Sequence, residues 1–165
     1  MKKYLFSFLI SASLIAVGQE FENLDDPAYS ISYPATWELN QSGQMGMSFG
    51  LFSPLKFDGD TFRENVNLII QNIASHNLDL TGFVNLSENQ IRTMIQDGEI
   101  LMSEKIGEYH KIVYQGTMGQ FKLKFWQQYW VKDGNAYILT FTAEQTEYDS
   151  YQEVARQMMD SFKVK

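Results

Sequence analysis

The stretch Phe121-Lys122-Leu123-Lys124-Phe125-Trp126-Gln127-Gln128-Tyr129-Trp130-Val131-Lys132, followed by Asp133-Gly134 and then Asn135-Ala136-Tyr137-Ile138-Leu139-Thr140-Phe141-Thr142-Ala143, decides the fold. Asp-Gly between two runs rich in aromatic and β-branched residues is a hairpin signal, because both turn positions tolerate positive φ. Successive side chains of an extended chain point to opposite faces. Along 121–132, Phe121, Leu123 and Phe125 fall on one face and Trp126 and Trp130 on the other. Large groups on both faces predict a central strand covered from both sides.

The same pattern extends outward. His110–Met118 precedes the hairpin through Gly119 and makes the sheet a meander, and Glu99–Ile106 is extended before it. Tyr29-Ser30-Ile31-Ser32-Tyr33 alternates apolar and polar and stops at Pro34, which reads as a short edge strand. Further strands are expected at Trp37–Gln41, Met47–Phe52 and Asn65–Ile73, with turns at Gly43–Gly46 and Asp58-Gly59-Asp60. Ser87-Glu88-Asn89-Gln90 matches a capping box ahead of Ile91, Met94 and Ile95, and Gly98 is expected to close that helix. Tyr148, Tyr151, Val154, Met158 and Phe162 recur at helical spacing and predict a C-terminal helix. The fold class is therefore α+β, an α-β-α sandwich with a central antiparallel sheet.

The first 18 residues read differently. Lys2 and Lys3 precede an uncharged apolar run from Tyr4 to Val17, and Ala16-Val17-Gly18 supplies the small residues of a signal-peptidase site. A membrane-spanning helix needs about 20 apolar residues, and this run is shorter and interrupted by Ser7, Ser11 and Ser13. The expectation is a signal peptide at 1–18, cut before Gln19, then a flexible acidic lead-in at 19–28 and one domain at 29–165. The chain has no cysteine, so neither lipid attachment at the new N-terminus nor a disulfide is open to it. With no later apolar run long enough to span a bilayer, the product is expected to be periplasmic or secreted and soluble.

Removing residues 1–18 takes two lysines and no acids from a formal charge of −7, leaving −9. Such a surface repels nucleic acid and anionic headgroups and favours solubility, a basic partner or a divalent cation. Aromatic residues at 15% and apolar residues at 44% suit a packed domain rather than a disordered chain.

The order of segments resembles the PsbP-like domain, a fold shared by the photosystem II extrinsic protein PsbP, bacterial exported DcrB-like proteins and a Ran-binding nuclear transport factor. The resemblance lies in Tyr29-Ser30-Ile31-Ser32-Tyr33-Pro34 with Trp37 behind it, Phe62 with Asn65-Val66-Asn67, Tyr137 to Ala143, and a last helix ending on Ser161-Phe162. It covers Tyr29 to about Lys163. It implies a non-enzymatic binding or assembly module that meets a protein partner in the periplasm or cell envelope. No metal ligand or partner surface carries over, because no functional residue of the family matches a position here, and fold alone does not decide function.

Gly46-Met47-Ser48-Phe49-Gly50 fits the nucleophile elbow of serine esterases, with Asp79 and His110 following in the order a triad requires. Pro54 and Gly59 come too soon after Gly50 for the helix that such an elbow needs, so a strand beside a turn explains the motif better. His76 and His110 are the only histidines, too few for a closed zinc site, and Asp58-Gly59-Asp60 lacks the remaining ligands of a calcium loop. Gly43, Gly46 and Gly50 are not followed by the Lys-Ser or Lys-Thr of a phosphate loop. Lys122 and Lys124 among Phe121, Phe125 and Trp126 have the composition of a nucleic-acid stacking strand, against which the net acidity argues. The face of Lys122, Lys124, Trp126, Gln128 and Trp130 is core if a helix covers it, and the best partner patch if none does. No catalytic residue, cofactor site or metal site is assigned. The leading expectation is a binding module; a small serine esterase using Ser48 and a carrier of a small molecule or cation are the alternatives.

Overall fold

The computed structural model describes residues 19–165, and the expected signal peptide at 1–18 lies outside the described residues. The strands are β1 (Phe21–Asp25), β2 (Tyr29–Pro34), β3 (Glu38–Asn40), β4 (Met47–Phe52) and β5 (Asn65–Asn72). Then come helix α1 (Leu80–Met94), strands β6 (Gln96–Ile106), β7 (Tyr109–Met118), β8 (Phe121–Lys132) and β9 (Asn135–Glu144), helix α2 (Tyr148–Ser161) and strand β10 (Lys163–Val164).

The Asp133-Gly134 turn takes positive φ at both residues, 51° and 72°, as its sequence demands. It joins β8 and β9 in antiparallel register from Lys132 opposite Asn135 to Leu123 opposite Glu144. These strands lie inside a seven-stranded sheet of order β3-β4-β5-β9-β8-β7-β6, in which neighbouring strands run antiparallel.

The alternation along β8 sorts the core into two halves. Leu123, Phe125 and Tyr129 pack with Ile112, Tyr114 and the α1 residues Phe83, Val84 and Ile91. Trp126 packs on the other side with Val113, Leu139, Phe141 and the α2 residues Tyr148, Ala155, Met158 and Met159. The second side is also closed by a small sheet of order β1-β2-β10, whose Tyr29, Ile31 and Tyr33 are buried in that same cluster. The expected α-β-α arrangement is present. It also settles the open question about the tryptophans: Trp126 is buried, at 5% exposure, and Trp130 is half-buried.

Four local expectations are corrected. Residues 19–28 were expected to be a flexible lead-in, yet Phe21–Asp25 forms β1 and pairs with β2 from Phe21 opposite Pro34 to Asp25 opposite Ser30. β2 was expected at an edge but is central, with β10 on its other side. Pro34 ends it rather than marking an edge; β1 immediately precedes it, and β10 comes from the far end of the sequence.

The capping box at Ser87 does not start α1. Asp79 caps the helix, its Oδ1 accepting the Gly82 N–H at 2.7 Å; Ser87 lies mid-helix and donates to the Phe83 carbonyl at 2.9 Å. A short carboxylate and a serine compete for the same role, and Asp79 stands where the apolar face begins. Gly98 does not close the helix either but lies in β6. A Cβ there would stand 2.3 Å from the Ile91 carbonyl oxygen, so glycine lets β6 run tight beneath the end of α1.

Candidate functional site

The chemical motifs read from sequence come apart in the fold. Ser48 lies in β4 at an irregularity in its register with β5, and His110 lies in β7 with Nε2 2.8 Å from Ser103 Oγ. Four strand spacings separate β4 from β7 in the sheet order, about 19 Å at the usual inter-strand distance. Asp79 is occupied in capping α1. Ser48, Asp79 and His110 therefore form no triad. Burial lowers the His110 pKa from its ordinary value.

Among the described residues the His76 side chain pairs with its neighbour, Nδ1 lying 3.2 Å from Ser75 Oγ. Asp60 folds its own loop, accepting the Lys56 N–H at 3.1 Å and the Phe62 N–H at 3.2 Å, which holds its carboxyl below the ordinary range. Among the described residues no group of three or more His, Asp or Glu side chains is placed to hold a metal ion. Gly43 and Gly46 take positive φ, 74° and 76°, and shape the turn before β4. Lys124 stands over the Tyr148 ring, 4.1 Å from its centroid, and Lys111 over Trp126 at 4.4 Å. Phe125, Trp126 and Tyr129 of β8 are thus taken up by the core and not offered to bases. A buried carboxylate, Glu64, accepts from Ser53 Oγ at 3.3 Å, and burial raises its pKa.

One part of the singled-out β8 face remains open. The register places Lys111 opposite Gln128, and the Tyr109 ring lies against Trp130, all on the α2 side. There the β6–β7 turn and the last turn of α2 stand apart and leave a groove of about 510 Å³. It is continuous through Glu108, Trp130 and Phe162 with a second volume of about 630 Å³ bordered by β10. Tyr109, Trp130 and Phe162 form its aromatic wall, with ring centroids 5.2 Å apart for Tyr109–Trp130 and 5.1 Å for Trp130–Phe162.

Gln128 lines this groove while only 1% exposed, and its Oε1 has no hydrogen-bond partner. Two carboxylates stand at the rim, Glu108 from the β6–β7 turn and Asp160 from α2. Burial, then Asp160 and Glu104, push the Tyr109 phenol above its ordinary pKa. Asp160 also occupies an unfavourable place, since the C-terminal turn of a helix carries partial negative charge and prefers cations, yet α2 has no basic residue there. Arg156 reaches Asp160 at 3.3 Å but makes its shorter contact, 2.7 Å, with Glu153.

Sequence reasoning singled out Gln128 and Trp130 as part of a patch and missed Glu108, Tyr109, Asp160 and Phe162. Glu108 follows Gly107, which takes φ of 57°, and a Gly at a strand junction is the one local signal that could have placed it on a turn.

No family model matches the sequence, and no curated protein matches it. Solved structures do. The cyanobacterial PsbP protein CyanoP from Synechocystis sp. PCC 6803 superposes with a TM-score of 0.65 at 16% identity, over 95% of this chain and 99% of that one. The fold is PsbP-like. LpqN of Mycobacterium tuberculosis, described as involved in cell envelope biogenesis, gives a TM-score of 0.62 at 10% identity, over 87% of this chain and 91% of its own. PA94 of Pseudomonas aeruginosa, a protein of unknown function, gives 0.58 at 12% identity, over 86% and 94%. The PsbP-like architecture thus accounts for the chain nearly end to end, while the identities are too low to transfer a site. Among the described residues no helix is long and apolar enough to cross a membrane.

Proposed function

We propose that this PsbP-like protein is an exported, non-catalytic binding or assembly module that engages its partner at the groove between α2 and the β6–β7 turn. The observation that carries the reading is Gln128. A buried polar atom without a partner costs about 1–3 kcal/mol, and here that cost falls at the floor of a groove. Retaining such a group is intelligible when a bound partner completes its hydrogen bond. The dispersal of Ser48, Asp79 and His110 over the fold supports a non-catalytic role. The leader-like pattern of residues 1–18 supports export, and so does the likeness to LpqN.

Export and binding are tested separately. N-terminal sequencing of the protein from the extracytoplasmic fraction is expected to begin at Gln19; retention of Met1 in the cytoplasm would contradict export. A photo-crosslinking amino acid at Glu108 is expected to capture a defined envelope or secreted partner. The same group at Asn89, on the exposed side of α1, is expected to capture none. Equal yields at both positions, or none at Glu108, would remove the groove as the binding site.

A further inference from the structure

The groove presents three features that converge on one ligand chemistry. Its floor holds Gln128, whose Oε1 is buried and unpaired; with the amide turned toward the groove, that acceptor takes an N–H or O–H donor. Its wall is the Tyr109, Trp130 and Phe162 cluster, and aromatic faces attract cations. Its rim carries Glu108 and Asp160 beside the negative end of α2. A quaternary cation would use the second and third features but has no hydrogen to donate to the first. A neutral alcohol would use the first and gain nothing from the third. A protonated primary amine uses all three.

Resting on the reading of this groove as the binding site, we propose that it takes a protonated primary alkylamine. The ammonium donates to Gln128 Oε1, lies against the Trp130 and Tyr109 rings, and is balanced by Glu108 and Asp160. The cations nearby are already committed or set to one side. Lys111 is placed over Trp126, Arg156 is divided between Glu153 at 2.7 Å and Asp160 at 3.3 Å, Lys132 donates to the Lys165 carbonyl, and Lys163 borders the adjoining volume rather than this one. The fold itself pairs ammonium groups with aromatic faces at Lys111–Trp126 and Lys124–Tyr148. The groove likewise sets aromatic faces beside two carboxylates.

The test is an NMR titration of the mature protein, following the Trp130 indole N–H, with n-butylammonium, tetramethylammonium and n-butanol as probes. Butylammonium is expected to shift that signal saturably and to bind about tenfold more tightly than tetramethylammonium, the value of a hydrogen bond to a charged donor. Gln128→Met is expected to weaken butylammonium by about the same factor. Glu108→Gln, at an exposed site that does not threaten folding, should weaken it by about two- to fivefold. An alkylammonium can come from a free amine or from a lysine side chain, and Nα-acetyl-lysine amide separates the two. Affinity equal to that of butylammonium assigns a lysine of a partner, and about tenfold weaker affinity assigns a free amine.

Tetramethylammonium or butanol binding as tightly as butylammonium would overturn the proposal. So would butylammonium affinity unchanged in both Gln128→Met and Glu108→Gln. A crosslink at Glu108 together with no response to any amine would overturn the ligand class and leave the groove standing as a binding site.

Discussion

Gln127 and Gln128 are adjacent on β8, point to opposite faces of the sheet, and have opposite fates. On the α1 side, Gln127 Nε2 donates to Thr140 Oγ1 at 3.0 Å, and its Oε1 accepts from the Tyr129 hydroxyl. On the α2 side, Gln128 is more deeply buried and its Oε1 has no partner. Two residues of one type, one peptide bond apart, therefore separate a polar group that serves the fold from one that burdens it. A satisfied buried amide is explained by structure alone. An unsatisfied one beside a groove is a group that a bound ligand could complete.

Breaking the frame that both glutamines share has the largest expected effect. Phe141 of β9 is fully buried between the sheet and α2, 5.3 Å from the Tyr148 ring. Phe141→Ala should cost about 3–5 kcal/mol in chemical denaturation, against a total of about 5–15 kcal/mol for a typical domain. A loss below 1 kcal/mol would mean that the α2 side is not packed as described.

The comparison sharpens at Gln127. Gln127→Leu leaves the Tyr129 hydroxyl, on a residue only 2% exposed, without its acceptor, and should destabilise by about 1–3 kcal/mol. A neutral result would erase the distinction between the two faces.

A smaller effect is expected at Glu64, another buried polar group. Burial raises its pKa above the ordinary 4.5, so the folded state holds this proton more tightly than the unfolded chain does. Its contribution to stability is accordingly greatest below the ordinary value and declines as pH rises through the folded one. Glu64→Gln should raise Tm at pH 7 relative to the parent and flatten its decline just above pH 4.5. An unchanged Tm–pH profile would show that Ser53 and Lys56 already compensate the carboxylate.

Much of the frame was legible because it rests on local patterns. The two-sided aromatics of β8, the Asp133-Gly134 turn and the helical stripe of α2 each act over a few residues, and together they specify a sheet covered on both faces. What escaped depends on distant partners. Phe21–Asp25 is a strand because β2 offers it an edge, and nothing within an acidic pentapeptide announces that. Ser87 looked like a cap because its neighbours matched the pattern, whereas Asp79 won by standing at the start of the buried face. The site was half legible. Alternation put Gln128 and Trp130 on one face, but Glu108 and Asp160 reach them from a turn and a helix about 20 and 30 residues away along the chain. Whether a glutamine finds a partner is decided by tertiary packing, so sequence could not tell Gln127 from Gln128.

Gln128→Met therefore tests the account most directly, with stability and n-butylammonium affinity measured on the same sample. Replacing an unpaired amide by an apolar side chain of similar size removes a burden, so unfolding free energy should hold or rise, while affinity should fall about tenfold. A protein destabilised by about 1–3 kcal/mol that still binds the amine as before would show that Gln128 serves the fold, and would contradict the account.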